Sequence, residues 1–268
     1  VNEDTRVAVC CYEGDGHQVR YGLSGWVHHG CPLLILSPDD SRVTIDVPGC
    51  IESRYAGKRA YTGQLSLDRQ RAHLSLLLEY PENHFLIHDA DSVCLDPKIP
   101  DYLYEEPDVM WTNQVVDGIP GHQEFFPSGW PHVAFQPPYF LSRKTIKALL
   151  AVADDPRCQA SPVMPFIDFY MVQLTMVAGL PWKRFLDGLS FPISIDPLKP
   201  NPTPREREIY AHGYRLAHNA VLNEGANVIH STKDWGVTRE LINARQRWVE
   251  KHPHTPPRFN KPPRIGRA

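Results

Sequence analysis

Two short apolar runs constrain this chain most. Arg6–Tyr12 (RVAVCCY) ends at Glu13-Gly14-Asp15-Gly16, and Leu33–Leu36 (LLIL) ends at Ser37-Pro38-Asp39-Asp40, so each stops abruptly in turn residues. Continuous apolar runs, as opposed to alternating ones, mark strands covered on both faces, which is the situation of parallel sheets. A parallel pair needs a crossover of a dozen residues or more, and His17–His29 supplies one as an expected helix. Strand, helix, strand opens an α/β fold with a mostly parallel sheet. At 268 residues the chain has room for one large α/β domain or two small ones with a full core. Its 42% hydrophobic and 22% charged residues exclude disordered, collagenous and coiled-coil classes.

Further along, Leu65–Tyr80 (LSLDRQRAHLSLLLEY) has no internal Pro or Gly, so a helix is expected there, ended by Pro81-Glu82-Asn83. His84–His88 is then a strand running directly into Asp89-Ala90-Asp91-Ser92. DVMWTN (108–113) is one more strand, and the Gly-, Pro- and His-rich stretch 117–138 is read as a long ordered loop of the kind that carries function. Ser142 is placed to cap a helix over 143–154. Helices follow over 166–178, closed by Gly179 and Pro181, over 205–224 and over about 239–251, with a short strand at 226–229 delivering His230. PLKPNPTP (197–204) is a stiff connector, and 252–268, with five prolines, four Lys/Arg and no acid, is an extended tail. Proline stands at 26 residues, about twice its ordinary share, which suits long ordered connections. The six cysteines, Cys10, Cys11, Cys31, Cys50, Cys94 and Cys158, show no Cys-x-x-Cys spacing and are expected as reduced, buried thiols.

Asp89 and Asp91 stand at i and i+2 immediately past a buried strand, where both carboxylates can converge on one cation. Hard divalent ions such as Mg²⁺ and Mn²⁺ take oxygen ligands and keep positions open for water and substrate phosphates, so a nucleotide diphosphate would complete the shell. Solvated acids after a strand are common, and it is the place that adds weight. Ligands of open α/β sheets bind beyond the carboxyl ends of the strands, and Glu13-Gly14-Asp15 lies at another such end. Arg69 or Lys58 is a candidate diphosphate partner, the alternative being a solvated group on an exposed helix face. Trp111, His122, Phe125, Phe126, Trp130 and His132 offer a stacking platform for a sugar or base, or simply pack.

The string HFLIHDADSVCLDP (84–97) resembles the signature of metal-dependent, nucleotide-sugar glycosyltransferases of the GT-A fold, in which a hydrophobic strand leads into Asp-x-Asp. RVAVCCYEGD and AGKRAYTGQLSLDRQ are similar to that family's first strand, nucleotide-contacting loop and basic helix, and FQPPYFLSRKTIKALL looks like its acceptor-side strand and helix. The resemblance implies a Rossmann-like, mostly parallel mixed sheet flanked by helices. It implies a single domain over 1–251, with a donor half to about 115 and an acceptor half over about 116–251, followed by the tail. It also implies transfer of a sugar from a nucleotide-diphosphate sugar to an acceptor hydroxyl, with Mn²⁺ or Mg²⁺ held by Asp89, Asp91 and the His230 of ANVIHSTKDW. Asp91 and His230 are favoured as direct ligands, and one Asp can instead order ribose or a metal-bound water. Glu13, Asp15, Lys58, Arg69, Asp89 and Lys233 fall to the nucleotide sugar, Lys233 and Trp235 resembling a His…Lys…Trp arrangement of some sugar transferases at shorter spacing. Asp168, in PFIDFYMVQL at the start of an acceptor-side helix, is the expected catalytic base of an inverting displacement, without the neighbouring Glu often seen. Otherwise it is an acid favoured at a helix N-terminus.

Asp-x-Asp-x-Val after an apolar strand also resembles the haloacid-dehalogenase phosphatases, with Asp89 as nucleophile and Asp91 as acid/base. Against that, two strand units precede the motif and no later Gly-Asp-x-x-x-Asp appears. A non-catalytic nucleotide-binding protein is the third reading. The net charge of −3 offers no global positive field, so a nucleic-acid partner must be met by a local patch, which Arg258, Lys261, Arg264 and Arg267 provide. The acceptor is accordingly expected to be a hydroxymethylated base in DNA or a bacterial glycan. No stretch approaches the ~18 apolar residues of a membrane span, and VNEDTRVAV lacks a signal-peptide pattern. The expectation is a cytoplasmic enzyme of a bacterium or a virus-infected host.

Overall fold

The apolar runs of the first half become neighbouring strands at the centre of one sheet. In a computed structural model, residues 4–12, 14–41, 49–56, 63–95, 97–117, 133–158, 167–185, 191–192, 203–219, 228–230 and 235–251 are described. In chain order the strands are β1 (Thr5–Cys10), β2 (Leu33–Pro38), β3 (Ile51–Tyr55), β4 (His84–Asp89), β5 (Val93–Cys94), β6 (Met110–Asp117), β7 (Val133–Ser142), β8 (Trp182–Arg184), β9 (Phe191–Pro192) and β10 (Val228–His230). Seven of them form a sheet of order β3-β2-β1-β4-β7-β6-β8, and a small sheet has the order β5-β10-β9. From β3 to β4 all neighbours are parallel, β7 is antiparallel to both β4 and β6, and β8 is parallel to β6. This is a mostly parallel, mixed, Rossmann-like sheet.

Helices cover both faces, which is why the central strands are apolar throughout. The crossover from β1 to β2 consists of α1 (Gly16–Gln18), a π-helical segment (Val19–Leu23) and α2 (Ser24–His28). With α4 (Tyr102–Glu105) it buries Val7, Val9, Leu33, Ile35 and Leu86. The opposite side chains, Ala8, Leu34, Leu36, Phe85 and Ile87, pack under α3 (Gly63–Leu77), α5 (Arg143–Ala151) and α6 (Ile167–Val177). Two further helices, α7 (Pro204–Asn219) and α8 (Trp235–Lys251), follow.

Local chemistry sets the boundaries. Ser142 caps α5 as expected, its Oγ accepting from the Thr145 backbone N–H at 3.0 Å. The carbonyls that follow α3 would otherwise lack donors, and Arg143 supplies them, its guanidinium donating to Leu78 at 2.9 Å, to Glu82 at 3.1 Å and to Tyr80. Gly179, at φ +65°, turns the chain out of α6. None of the six cysteines forms a disulfide, and four are buried, with Cys10 and Cys50 partly so.

The expected loop over 117–138 is shorter than the sequence suggested, because β7 starts at Val133 and runs through Pro137-Pro138. The ladder explains how a strand tolerates them. Pairing of β7 with β4 begins only at Tyr139, and against β6 the register shifts so that Asn113 alone faces both prolines. At such a bulge no ladder hydrogen bond needs the missing N–H groups. The sequence also set the start of the last helix too late, since α8 begins at Trp235. The expected connector 197–204 and tail 252–268 lie largely or wholly outside the described residues.

Beneath the carboxyl end of β1, His73 of α3 is buried, with Nδ1 3.3 Å from Cys10 Sγ and the Tyr55 ring edge-on at 4.7 Å. Burial first, and then the Arg69 charge, hold its pKa down to about 3 from the usual 6.5. The folded protein therefore keeps His73 neutral where the unfolded chain binds a proton. This contribution to stability is constant above pH 6.5 and is lost as pH falls from there towards about 3, at roughly 1.4 kcal/mol per pH unit. Urea denaturation between about pH 7 and about pH 4 should accordingly show a shallower acid decline for His73→Gln, by about one proton. An identical decline in both proteins would contradict this.

Candidate functional site

After β1 the chain adds β2 and β3 on one side, and after α3 it returns to place β4 on the other. The strand order thus reverses between β1 and β4, and the crevice beyond their carboxyl ends is where open α/β sheets bind ligands. Six registered pairs, from Thr5–His84 to Cys10–Asp89, set the two strand ends level. Asp89 and Asp91 are both half-buried there. On the β1 side Asp15 closes a tight turn, its Oδ2 accepting from Tyr12 N at 2.8 Å and its own N–H donating to Tyr12 O at 3.0 Å. Gly14, at φ +93°, makes that turn possible. Asp15 thereby shapes the loop where the sequence placed a nucleotide contact.

The turn carrying the two aspartates is fixed from three directions. Ser92 N donates to Asp89 O at 3.2 Å. The crossover helix presses backbone to backbone upon it: a Cβ at Gly22 would stand 2.4 Å from Ser92 O, and one at Gly25 would stand 3.2 Å from Cys94 O. Finally β5 pairs antiparallel with β10, Val93 with Ile229 and Cys94 with Val228. That register brings the His230 backbone level with Ser92, one residue past Asp91. Sequence reasoning missed Gly22 and Gly25, whose spacing of three on one helix was the available signal.

Arg69 is buried, 7% exposed, and so does not lie on the solvated helix face that was its alternative reading. It donates to the Tyr12 hydroxyl, and its guanidinium stands 5.4 Å over the Tyr12 ring. Burial, with Asp89 adding and Arg69 opposing, pushes the Cys10 thiol up to about 12, and Cys11 is driven well up by burial in the same way. Neither sulfur is a thiolate near neutrality.

The second half of the sheet opens on the same edge. Because β6 runs against β7, and β7 against β4, β6 ends where β4 ends, and residues 118–132 leave and re-enter the sheet there. Thr175 Oγ1, near the end of α6, lies 3.5 Å from Met110 Sδ at the start of β6, so the other end of α6, holding Asp168, is the one nearer that edge. Trp111 is not part of an open platform: it is 1% exposed and packs edge-on to Tyr102 at 5.2 Å. His122, Phe125, Phe126, Trp130, His132, Glu13, Lys58 and Lys233 lie outside the described residues, as do the side chains of Asp168 and His230.

Among the described residues no three His, Cys, Asp or Glu side chains gather closely enough to hold a metal ion. Two carboxylates on one turn fit Mg²⁺ or Mn²⁺, which bind through one or two carboxylates and fill their shells with water and phosphate. No helix among the described residues is long and apolar enough to cross a membrane. No protein-family model matches the chain, and no curated protein matches its sequence.

The contact at Gly22 gives a direct test of how the aspartate turn is held. Gly22→Ala should lower stability by about 1–3 kcal/mol in urea denaturation, as overpacking against backbone does, and Gly25→Ala by less. Equal and negligible losses would show that the helix does not bear on the turn.

Proposed function

We propose that this protein is a metal-dependent glycosyltransferase of GT-A type, moving a sugar from a nucleotide-diphosphate sugar to an acceptor hydroxyl. The observation that carries the reading is the Asp89/Asp91 turn at the point where strand order reverses, with the backbone of His230 alongside. Asp89 and Asp91, with His230, would hold a divalent ion together with the diphosphate. Such an ion would supply positive charge where negative charge develops on the departing diphosphate. Arg69 acts through Tyr12, fixing the loop after β1 against which the nucleotide lies. Asp168 takes the proton of the acceptor hydroxyl in an inverting displacement. The acceptor is a hydroxymethylated base in DNA or a bacterial glycan.

Calorimetric titration with nucleotide sugars should show binding that requires Mn²⁺ or Mg²⁺ and is weakened at least about tenfold by Asp91→Asn, the loss of one charged metal contact being worth more than 1.4 kcal/mol. Undiminished affinity in chelator or in the variant would remove the metal role.

Asp168 separates turnover from binding. Asp168→Asn should leave donor and metal affinity intact while lowering kcat by roughly 10²–10⁴-fold, the usual contribution of positioned proton transfer. An inverted product formed at near-normal rate by that variant would sink the base assignment. A retained anomeric configuration would sink the inverting mechanism.

A further inference from the structure

Charge is unevenly spread along this chain. Residues 239–268 hold eight Lys/Arg and two Glu, a formal +6 within a whole-chain charge of −3, so the other residues carry −9. In α8, Arg239, Asn243, Arg247 and Lys251 succeed one another at four-residue steps and all are exposed, a ridge about 18 Å long at 1.5 Å per residue. The opposite face is anchored: Leu241, Ala244 and Trp248 are buried, and the Arg245 guanidinium stands 4.7 Å over the Trp248 ring. The two acids of α8 flank the ridge on the same side of the helix and are engaged there, Glu240 accepting from the Tyr214 hydroxyl and Glu250 from Gln246 Nε2 at 3.2 Å. None of the three ridge cations makes an ion pair among the described residues. Beyond the helix, Arg258, Lys261, Arg264 and Arg267 recur at every third position in a stretch with five prolines.

We infer that α8 and the stretch after it bind the phosphate backbone of a nucleic acid. With the buried Arg245 set aside, five of the seven remaining cations are Arg, whose planar fork matches phosphate oxygens in pairs. An anionic membrane surface calls for apolar side chains beside the cations. Among the described side chains of α8, Leu241, Ala244 and Trp248 are turned into the protein, and Val249, 47% exposed, is the exception. The −9 of the remaining chain repels the same polymer, which confines docking to this end. α8 begins five residues after His230, whose backbone is level with the turn carrying Asp89 and Asp91. Binding itself needs no donor, metal or sugar transfer, so it stands apart from the transferase reading and narrows the acceptor within it.

The experiment is an anisotropy titration of the full chain against a labelled DNA duplex of about 20 base pairs, without divalent metal or nucleotide sugar, from about 50 to about 200 mM salt. Affinity is expected to fall linearly with salt on logarithmic axes. The triple variant Arg239→Gln, Arg247→Gln, Lys251→Gln should bind at least about tenfold more weakly and with a slope shallower by roughly two to three, because each lost phosphate contact removes about 0.9 from it. All three side chains are exposed, so folding is spared. No binding at the lowest salt, unchanged affinity and slope in the triple variant, or capture by phosphatidylserine vesicles in preference to DNA would each overturn the inference.

Discussion

The parallel pairing of β1 with β4 is the constraint on which the rest of the structure depends. These strands lie side by side while β2, β3 and α3 come between them in the chain, and the reversal of strand order leaves a crevice beyond their carboxyl ends. Their six-pair register ends with Cys10 beside Asp89. A shift by one residue would send every buried side chain of β4 to the wrong face and withdraw the aspartate from the crevice. The core and the site are therefore set by one ladder. Phe85 and Ile87 face α3 while Leu86 faces the crossover helix, and the acids follow as soon as burial ends.

A crevice of this kind is useful only if its rim is stiff. Here stiffness comes from close backbone contact, Gly22 and Gly25 seating a helix on the turn after β4, and from buried polar partners behind β1. Tyr12, Arg69, His73 and Cys10 hold one another in neutral or charge-assisted contacts beneath the loop that Asp15 closes. Such an arrangement suits electrostatic catalysis, in which groups that do not need to reorganise meet charge as it develops.

Much of this was legible in the residues. The unbroken apolar runs gave parallel strands, the turn residues after them gave the loops at one edge, and Ser142 marked a cap that forms as expected. Other features depend on partners distant in the chain. The string FQPPYFLS read as a strand only by its resemblance, since local propensity argues against Pro137-Pro138 in a ladder and the bulge opposite Asn113 that admits them belongs to β6. Arg69 reads as one more cation on a helix until Tyr12, 57 residues away, is found beneath it. The pairing of β5 with β10 links Val93 to Ile229 through two residues of ladder, too short a signal for periodicity to reveal. The basic ridge of α8 was half visible: the cations after it stood out, while the exposure of Arg239, Arg247 and Lys251 required the packing of Trp248.

The central claim is that carboxylates at the strand reversal serve a nucleotide sugar and do not act as phosphatase nucleophiles. The most direct measurement is nucleotide release from a panel of nucleotide-diphosphate sugars with Mn²⁺ or chelator, run beside release of inorganic phosphate from simple phosphate monoesters. The expected result is Mn²⁺-dependent nucleotide release from one or a few donors with no turnover of monoesters. Phosphate release from monoesters, with every nucleotide sugar left intact, would contradict it.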